Sequence, residues 1–205
     1  MKFKEALSKF WFLIWKDDSL KGWVLSLIFI FVFIKFIFFP ILSFTLGTSL
    51  PLAIVESCSM YHSNDVLGNF DIWWNSHEEK YSQFEISKTT FETFSMYKGF
   101  NKGDIIFITG TNPNKIKIGD IIIYNTDTPS PVIHRVINIT ENPNGLIFQT
   151  IGDNNNGQIY FEKQVTSSQI VGKAQFKLAP LAGWFKLIFY ENGRSSSERG
   201  FCHEN

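Results

Sequence analysis

The chain has 205 residues, enough for one domain of ordinary size joined to a membrane segment but not for two independent cores besides. Lysine plus arginine and aspartate plus glutamate both number 19, so the formal charge is zero and no basic surplus points to nucleic acid as a partner. The two cysteines, Cys58 and Cys202, have neither metal-ligand spacing nor the density of a disulfide framework, and are expected unpaired, with Cys58 a small packed neighbour of its serines.

Residues 1–21 carry Lys2, Lys4, Lys9, Lys16 and Lys21 among aromatic and aliphatic side chains, a composition suited to a helix on the cytoplasmic leaflet. Residues 22–46 follow as an apolar stretch, part of a phenylalanine-rich first 45 residues that points to lipid. About 24 residues of helix rise ~36 Å, which crosses a hydrocarbon core of ~30 Å. Its roughly 18 Leu, Ile, Phe and Val residues each favour insertion by about 0.3–0.6 kcal/mol, against about 2.5–3.5 kcal/mol for the single Lys35, so insertion wins. Pro40 is the expected kink. The lysines precede the span and none follows until Lys80, so the N-terminus is expected in the cytoplasm and the remainder outside. The stretch is too long, and starts too late, for a cleaved leader.

Beyond the anchor, residues 47–190 read as one domain. Short apolar runs at 104–109, 120–124, 132–139, 146–151 and 170–178 alternate with turn chemistry such as Asn112-Pro113-Asn114 and Asn142-Pro143-Asn144-Gly145, which predicts a mostly antiparallel sheet. Asp104 and Asp120, each after a glycine and before a run, are expected in turns where strands begin. Residues 61–102 hold Phe70, Trp73, Trp74, Tyr81, Phe84, Phe91, Phe94 and Tyr97, too many aromatics for a disordered linker. They are expected to pack as a helical cap on the sheet, the alternative being a surface resting on lipid. Residues 191–205 are polar and expected to fray.

Three short pieces carry chemistry: Ser57-Cys58-Ser59-Met60, His134-Arg135-Val136 and Gly152-Asp153-Asn154-Asn155. A serine hydroxyl needs an imidazole to take its proton and a carboxylate to hold that imidazole in the useful tautomer. Singly, Ser59 reads as a loop hydroxyl, His134 as a structural histidine on an apolar strand and Asp153 as a turn residue. Together, in this order after an anchor, they resemble the type I signal peptidases of the archaeal and endoplasmic-reticulum branch, which use histidine where bacterial relatives use lysine.

The resemblance runs from the anchor to about Lys186 and implies a signal-peptidase-like antiparallel β domain carrying Ser59 as nucleophile, His134 as general base and Asp153 as the acid. It also implies an oxyanion site made by the Ser59 N–H with the Ser57 hydroxyl. Two departures stand out. His62 occupies a position where the family often has proline, and Ile159 one where it often has a second aspartate, which leaves Glu162 as the alternative third member. Residues 61–102 exceed the family's connection and form an insertion.

The function so implied is a membrane-anchored serine endopeptidase, with no cofactor and no metal, that removes signal peptides from exported preproteins. The expected location is a single pass through the cell membrane, with the domain on the extracytoplasmic side and the secretion translocon a further conceivable partner beside the bilayer. Two rival readings stand beside it: a catalytically silent anchored module that only binds preproteins, and a repressor-type self-cleaving peptidase. Asn138-Ile139-Thr140 matches a glycosylation sequon, a short pattern of low specificity.

Overall fold

The computed structural model describes residues 2–62 and 70–203. It divides into two compact units, residues 1–45 and 46–205.

In the first unit, helix α1 (Lys2–Trp15) and helix α2 (Leu20–Phe33) form a hairpin. Ser19 caps α2, its hydroxyl accepting the Gly22 N–H at 3.1 Å. A Cβ on Gly22 would stand 2.3 Å from the Asp17 carbonyl oxygen, so glycine permits the tight connection. Phe10 meets Phe29 edge to face at 5.7 Å, and the Ser26 hydroxyl donates to the Ile14 carbonyl. Past α2 the helix continues through a π turn (Ile34–Phe38) into α3 (Phe39–Leu46). Pro40 has no N–H to give and its ring crowds the preceding turn, which the wider π turn relieves. Together, Leu20–Leu46 is one helix of 27 residues, long and apolar enough to cross a membrane.

The second unit is built on a curled, seven-stranded antiparallel sheet with order β1-β2-β7-β3-β4-β5-β6. Its strands are β1 (Leu52–Ile54), β2 (Ile105–Thr109), β3 (Ile121–Tyr124), β4 (Val132–Asn142), β5 (Gly145–Ile151), β6 (Val165–Thr166) and β7 (Ile170–Ala179). Five of them coincide closely with the predicted runs. The two short outer strands, β1 and β6, have too few residues to carry a period-2 signal in the sequence.

Central β3 is buried at every position, and its side chains alternate between two cores. Ile121 and Ile123 join Val55, Met60, Phe100 and Ile108, while Ile122 and Tyr124 join Val136, Phe148 and Val165. A strand covered on both faces reads as an unbroken apolar run, which is how Ile121-Ile122-Ile123-Tyr124 reads.

Asp104 and Asp120 do sit in turns ahead of strands, by one repeated device. Each follows a glycine with φ near +90° (91° at Gly103, 93° at Gly119), and each carboxylate accepts the N–H three residues back, from Asn101 and Lys117 respectively, at 2.8 and 2.9 Å. Each also pairs with a lysine of β7, Lys177 and Lys173.

The insertion forms helix α4 (Phe70–Ser82) and a single turn, α5 (Lys88–Phe91); its residues 63–69 lie outside the described residues. Trp73, Trp74, Tyr81, Ile86 and Phe91 are buried together with Ile137 and Ile151 of the sheet. The aromatics therefore cap the sheet, as the packing alternative held. A further short helix, α6 (Trp184–Leu187), follows β7.

The cysteines correct the sequence reading. Cys58 and Cys202 form a disulfide with Cα atoms 5.3 Å apart across 144 residues of sequence, and no free cysteine remains. Tertiary proximity, invisible in the spacing, decides the pairing. Part of the expected fraying tail is fastened with it. Glu191 pairs with the buried Lys102 ammonium at 2.8 Å, and the Asn154 amide donates to the His203 carbonyl at 3.2 Å. Because a cross-link closing so long a loop restricts the unfolded chain, Cys202→Ser should lower stability by about 2–4 kcal/mol. Urea unfolding of wild type and variant, with and without reductant, checks this, and reductant should bring the wild type down to the variant.

Candidate active site

Ser59 lies half-buried in the turn between β1 and the insertion, where the Tyr61 N–H donates to the Cys58 carbonyl at 3.1 Å. Next to it Met60 is fully buried in the core, and its carbonyl accepts the Phe100 N–H at 2.9 Å. The core thus anchors the residue after the serine and leaves the hydroxyl on the surface side. The Ser57 and Ser59 hydroxyl oxygens are 3.2 Å apart.

The Gly152–Asn155 turn closes onto this segment. The Asn154 N–H donates to the Ser59 carbonyl at 2.8 Å, and the Asn154 side-chain amide donates to the Cys58 carbonyl at 3.1 Å. A Cβ on Gly152 would stand 2.8 Å from the Ser59 carbonyl oxygen and 2.6 Å from the Asn155 amide nitrogen, so only glycine fits. The Asp153 N–H points at the Met60 sulfur, 3.4 Å away. Two of the three sequence boxes therefore meet directly.

The third box is split by the pleat. His134 faces Ile122 across β3 and β4, while Arg135 faces Ile121 on one side and Ile151 on the other, so the neighbours project to opposite faces of the sheet. Each finds its own carboxylate. On the Arg135 face the guanidinium is fully buried and bonds Asp153 through Nε at 3.0 Å and Nη2 at 2.7 Å. It also donates to the carbonyls of Gly119, Ser95 and Met96. Asp153 further accepts from the Tyr81 hydroxyl at 2.8 Å and from His62 Nε2 at 2.9 Å. On the His134 face, His134 Nδ1 approaches Glu162 Oε1 to 2.5 Å. Both groups are buried, and the same carboxylate accepts the Gly152 N–H at 3.0 Å and the Ile159 N–H at 2.5 Å. The approach of Glu162 to His134 is a close contact between Nδ1 and the carboxylate oxygen rather than an aligned hydrogen bond.

The expected pairing of Asp153 with His134 is thus not what the geometry presents. Asp153 is taken up by Arg135, His62 and Tyr81, and Glu162 is the carboxylate at His134. Glu162 is held there by the 3₁₀ turn Tyr160–Glu162, which folds its side chain back over Gly152.

Electrostatics reinforce the division. Burial by itself would raise the Asp153 carboxyl, but the Arg135 charge and the His62 hydrogen bond outweigh it and hold the carboxyl well below the usual carboxylate range. Burial lowers the His62 imidazole against the opposing pull of Asp153, so His62 is a neutral donor. His62 also stacks on Trp73 with ring centroids 3.6 Å apart. Among the described residues no group of three or more metal-ligating side chains suited to a metal ion is present.

The insertion thus supplies direct partners of Asp153 that the sequence pattern does not single out. Tyr81, Lys80 and His62 belong to no recognised box, and only their distance to Asp153 reveals them. His77 stacks on Trp73 at 4.4 Å.

No protein-family model matches the chain. A search of curated proteins finds the human signal peptidase complex catalytic subunit SEC11C, 34% identical over 105 residues, covering 46% of this chain and 52% of the relative. The signal peptidase complex catalytic subunits SEC11 of Candida tropicalis and Candida albicans are 34% and 33% identical over 105 residues, covering 48% of this chain and 62% of each relative. Over about half of its length the chain is therefore similar to signal peptidase complex catalytic subunits. It spans about half to three-fifths of the length of these relatives.

Two consequences of the split carboxylates are open to test. Removing the Asp153 charge leaves a buried, unpaired guanidinium, so Asp153→Asn should cost about 3–5 kcal/mol of stability. Chemical unfolding measures this, and an unchanged midpoint would contradict the pairing.

Stability should also fall with acid in two stages. The unfolded chain protonates its His62 near pH 6.5 while the folded one resists, so stability is complete above that value and declines as pH falls through it. Asp153, depressed in the fold, adds stability that is present above the ordinary aspartate range and is lost progressively below it. Melting temperature followed from pH 8 to pH 3 should show both stages, and His62→Gln should flatten the first.

Proposed function

We propose that the chain is a membrane-anchored serine endopeptidase that removes signal peptides from preproteins. The observation that carries this reading is that Ser59 is bonded to the turn holding Gly152, while Gly152 is bonded to Glu162, the carboxylate in contact with His134. A chain homologous to signal peptidase catalytic subunits thereby gathers a hydroxyl, an imidazole and a carboxylate about one glycine.

In the reaction Ser59 attacks the scissile carbonyl, His134 takes the hydroxyl proton and returns it to the leaving amine, and water then releases the acyl group by the same route. Glu162 is the orienting carboxylate in this reading. It lies against Nδ1 and leaves Nε2 for the serine. Asp153 instead fixes the turn, through Arg135, that carries the Ser59 carbonyl. The Ser59 N–H, assisted by the Ser57 hydroxyl, is the oxyanion donor set, and loss of one such donor commonly costs about 100- to 1000-fold in rate.

Residues 20–46 are the anchor, with the lysine-rich N-terminus in the cytoplasm and the domain on the extracytoplasmic side of the cell membrane. The disulfide supports that side, because such bonds persist in oxidising compartments. The partners are signal peptides and the bilayer, with the secretion translocon as a source of substrate.

The deciding experiment incubates the full chain, purified in detergent, with a preprotein. Wild type should release the mature protein, and Ser59→Ala and His134→Ala should not, with melting temperatures near that of the wild type. Uncleaved preprotein that nonetheless binds would replace the enzyme with a silent binding module. Glu162→Gln should lower kcat by up to about 10⁴, since an amide favours the wrong imidazole tautomer. Added protease should reach the domain from outside intact spheroplasts, and protection of the domain would overturn the topology.

A further inference from the structure

The insertion does more than cover the sheet. Lys80, on the last turn of α4, reaches the Gly152–Asn155 turn and donates to two of its carbonyls, Asp153 at 2.5 Å and Asn155 at 2.8 Å. These carbonyls flank Asn154, whose N–H holds the Ser59 carbonyl. We propose that Lys80 is a positioning residue for the peptidase reaction, its ammonium locking the turn that sets Ser59 against His134.

The proposal rests on the endopeptidase reading and names a part that the three boxes do not contain. Gly152, Asp153 and Asn154 are buried and Asn155 half-buried, so without Lys80 two carbonyls of the turn would face the space under α4. Lys80 fills that space with donors rather than with an apolar side chain, though a half-buried lysine is costly. Burial pushes its ammonium down to about 8, against the opposing attraction of Asp153 and Glu162. The groups that face it are those two carboxylates, the Tyr81 ring on its own helix at 5.2 Å, and, through the carboxylates, Arg135, His62 and His134. Lys80 therefore acts on the site through the geometry of the turn.

The test compares Lys80→Met and Lys80→Arg in the full chain with Phe84→Ala, a packing variant in the aromatic cluster of the insertion. Lys80→Met should lower kcat about 10- to 100-fold, the range that small misplacements of reacting groups produce, with KM changed less than about threefold. Lys80→Arg, which keeps donors for the two carbonyls, should restore most of the rate. Amide exchange across 152–155 should quicken in Lys80→Met and not in Phe84→Ala.

Lost activity with unchanged exchange, or a loss matched by Phe84→Ala at equal melting temperature, would overturn the proposal. If the wild type cleaves no preprotein but exchange still quickens only in Lys80→Met, the reading as a peptidase falls and the locking role of Lys80 stands.

Discussion

The buried pair of Arg135 and Asp153 is the interaction on which the rest of the second unit depends. Its guanidinium joins β4 to the Gly152–Asn155 turn and to the carbonyls of Ser95, Met96 and Gly119, and so ties the insertion, the β3 approach and the candidate site to one charge. Every one of these partners is an acceptor. A buried guanidinium is tolerated only when its donors are used, and here the fork of Arg135 is filled by a carboxylate and three backbone oxygens. Phe91 completes the setting with its ring 4.8 Å from the guanidinium carbon.

Strand geometry then divides labour between two acids. Successive side chains of β4 point to opposite faces, so no single carboxylate serves both His134 and Arg135 without reaching across the sheet. Asp153 meets the arginine and Glu162 meets the histidine, and Gly152 is the common point, bonded to Glu162 and pressed against Ser59. Glu162 reaches the imidazole from a 3₁₀ turn three residues long.

The aromatic insertion and the C-terminal segment act from either side on the serine segment. From one side, Tyr81 and Lys80 of α4 bond Asp153 and its carbonyl, with the Trp73, Trp74 and Phe91 core setting the helix against β4 and β5. From the other, Cys202 is covalently joined to Cys58, the residue before Ser59, and Asn154 bonds the carbonyls of both Cys58 and His203. A serine whose neighbour is cross-linked and whose own carbonyl is hydrogen-bonded has little backbone freedom left.

By itself the sequence determined the features that arise from local pattern. The apolar stretch that becomes the long helix of residues 20–46, five of the seven strands, the aspartates at the turns before β2 and β3, and the aromatic residues that pack over the sheet were all legible, because period, turn chemistry and burial of large apolar surface act over a few residues at a time. The three boxes were legible as a set, and the chain is similar over about half its length to signal peptidase complex catalytic subunits. Tertiary structure decided what depends on residues far apart in the chain: that Cys58 and Cys202 pair, that Glu162 rather than Asp153 contacts His134, and that His62, Lys80 and Tyr81 surround Asp153. The physical reason is the same in each case. Which partner a charge or thiol finds is fixed by the face of the strand it leaves from and by what the fold carries to that face, and neither is written in the spacing of the residues.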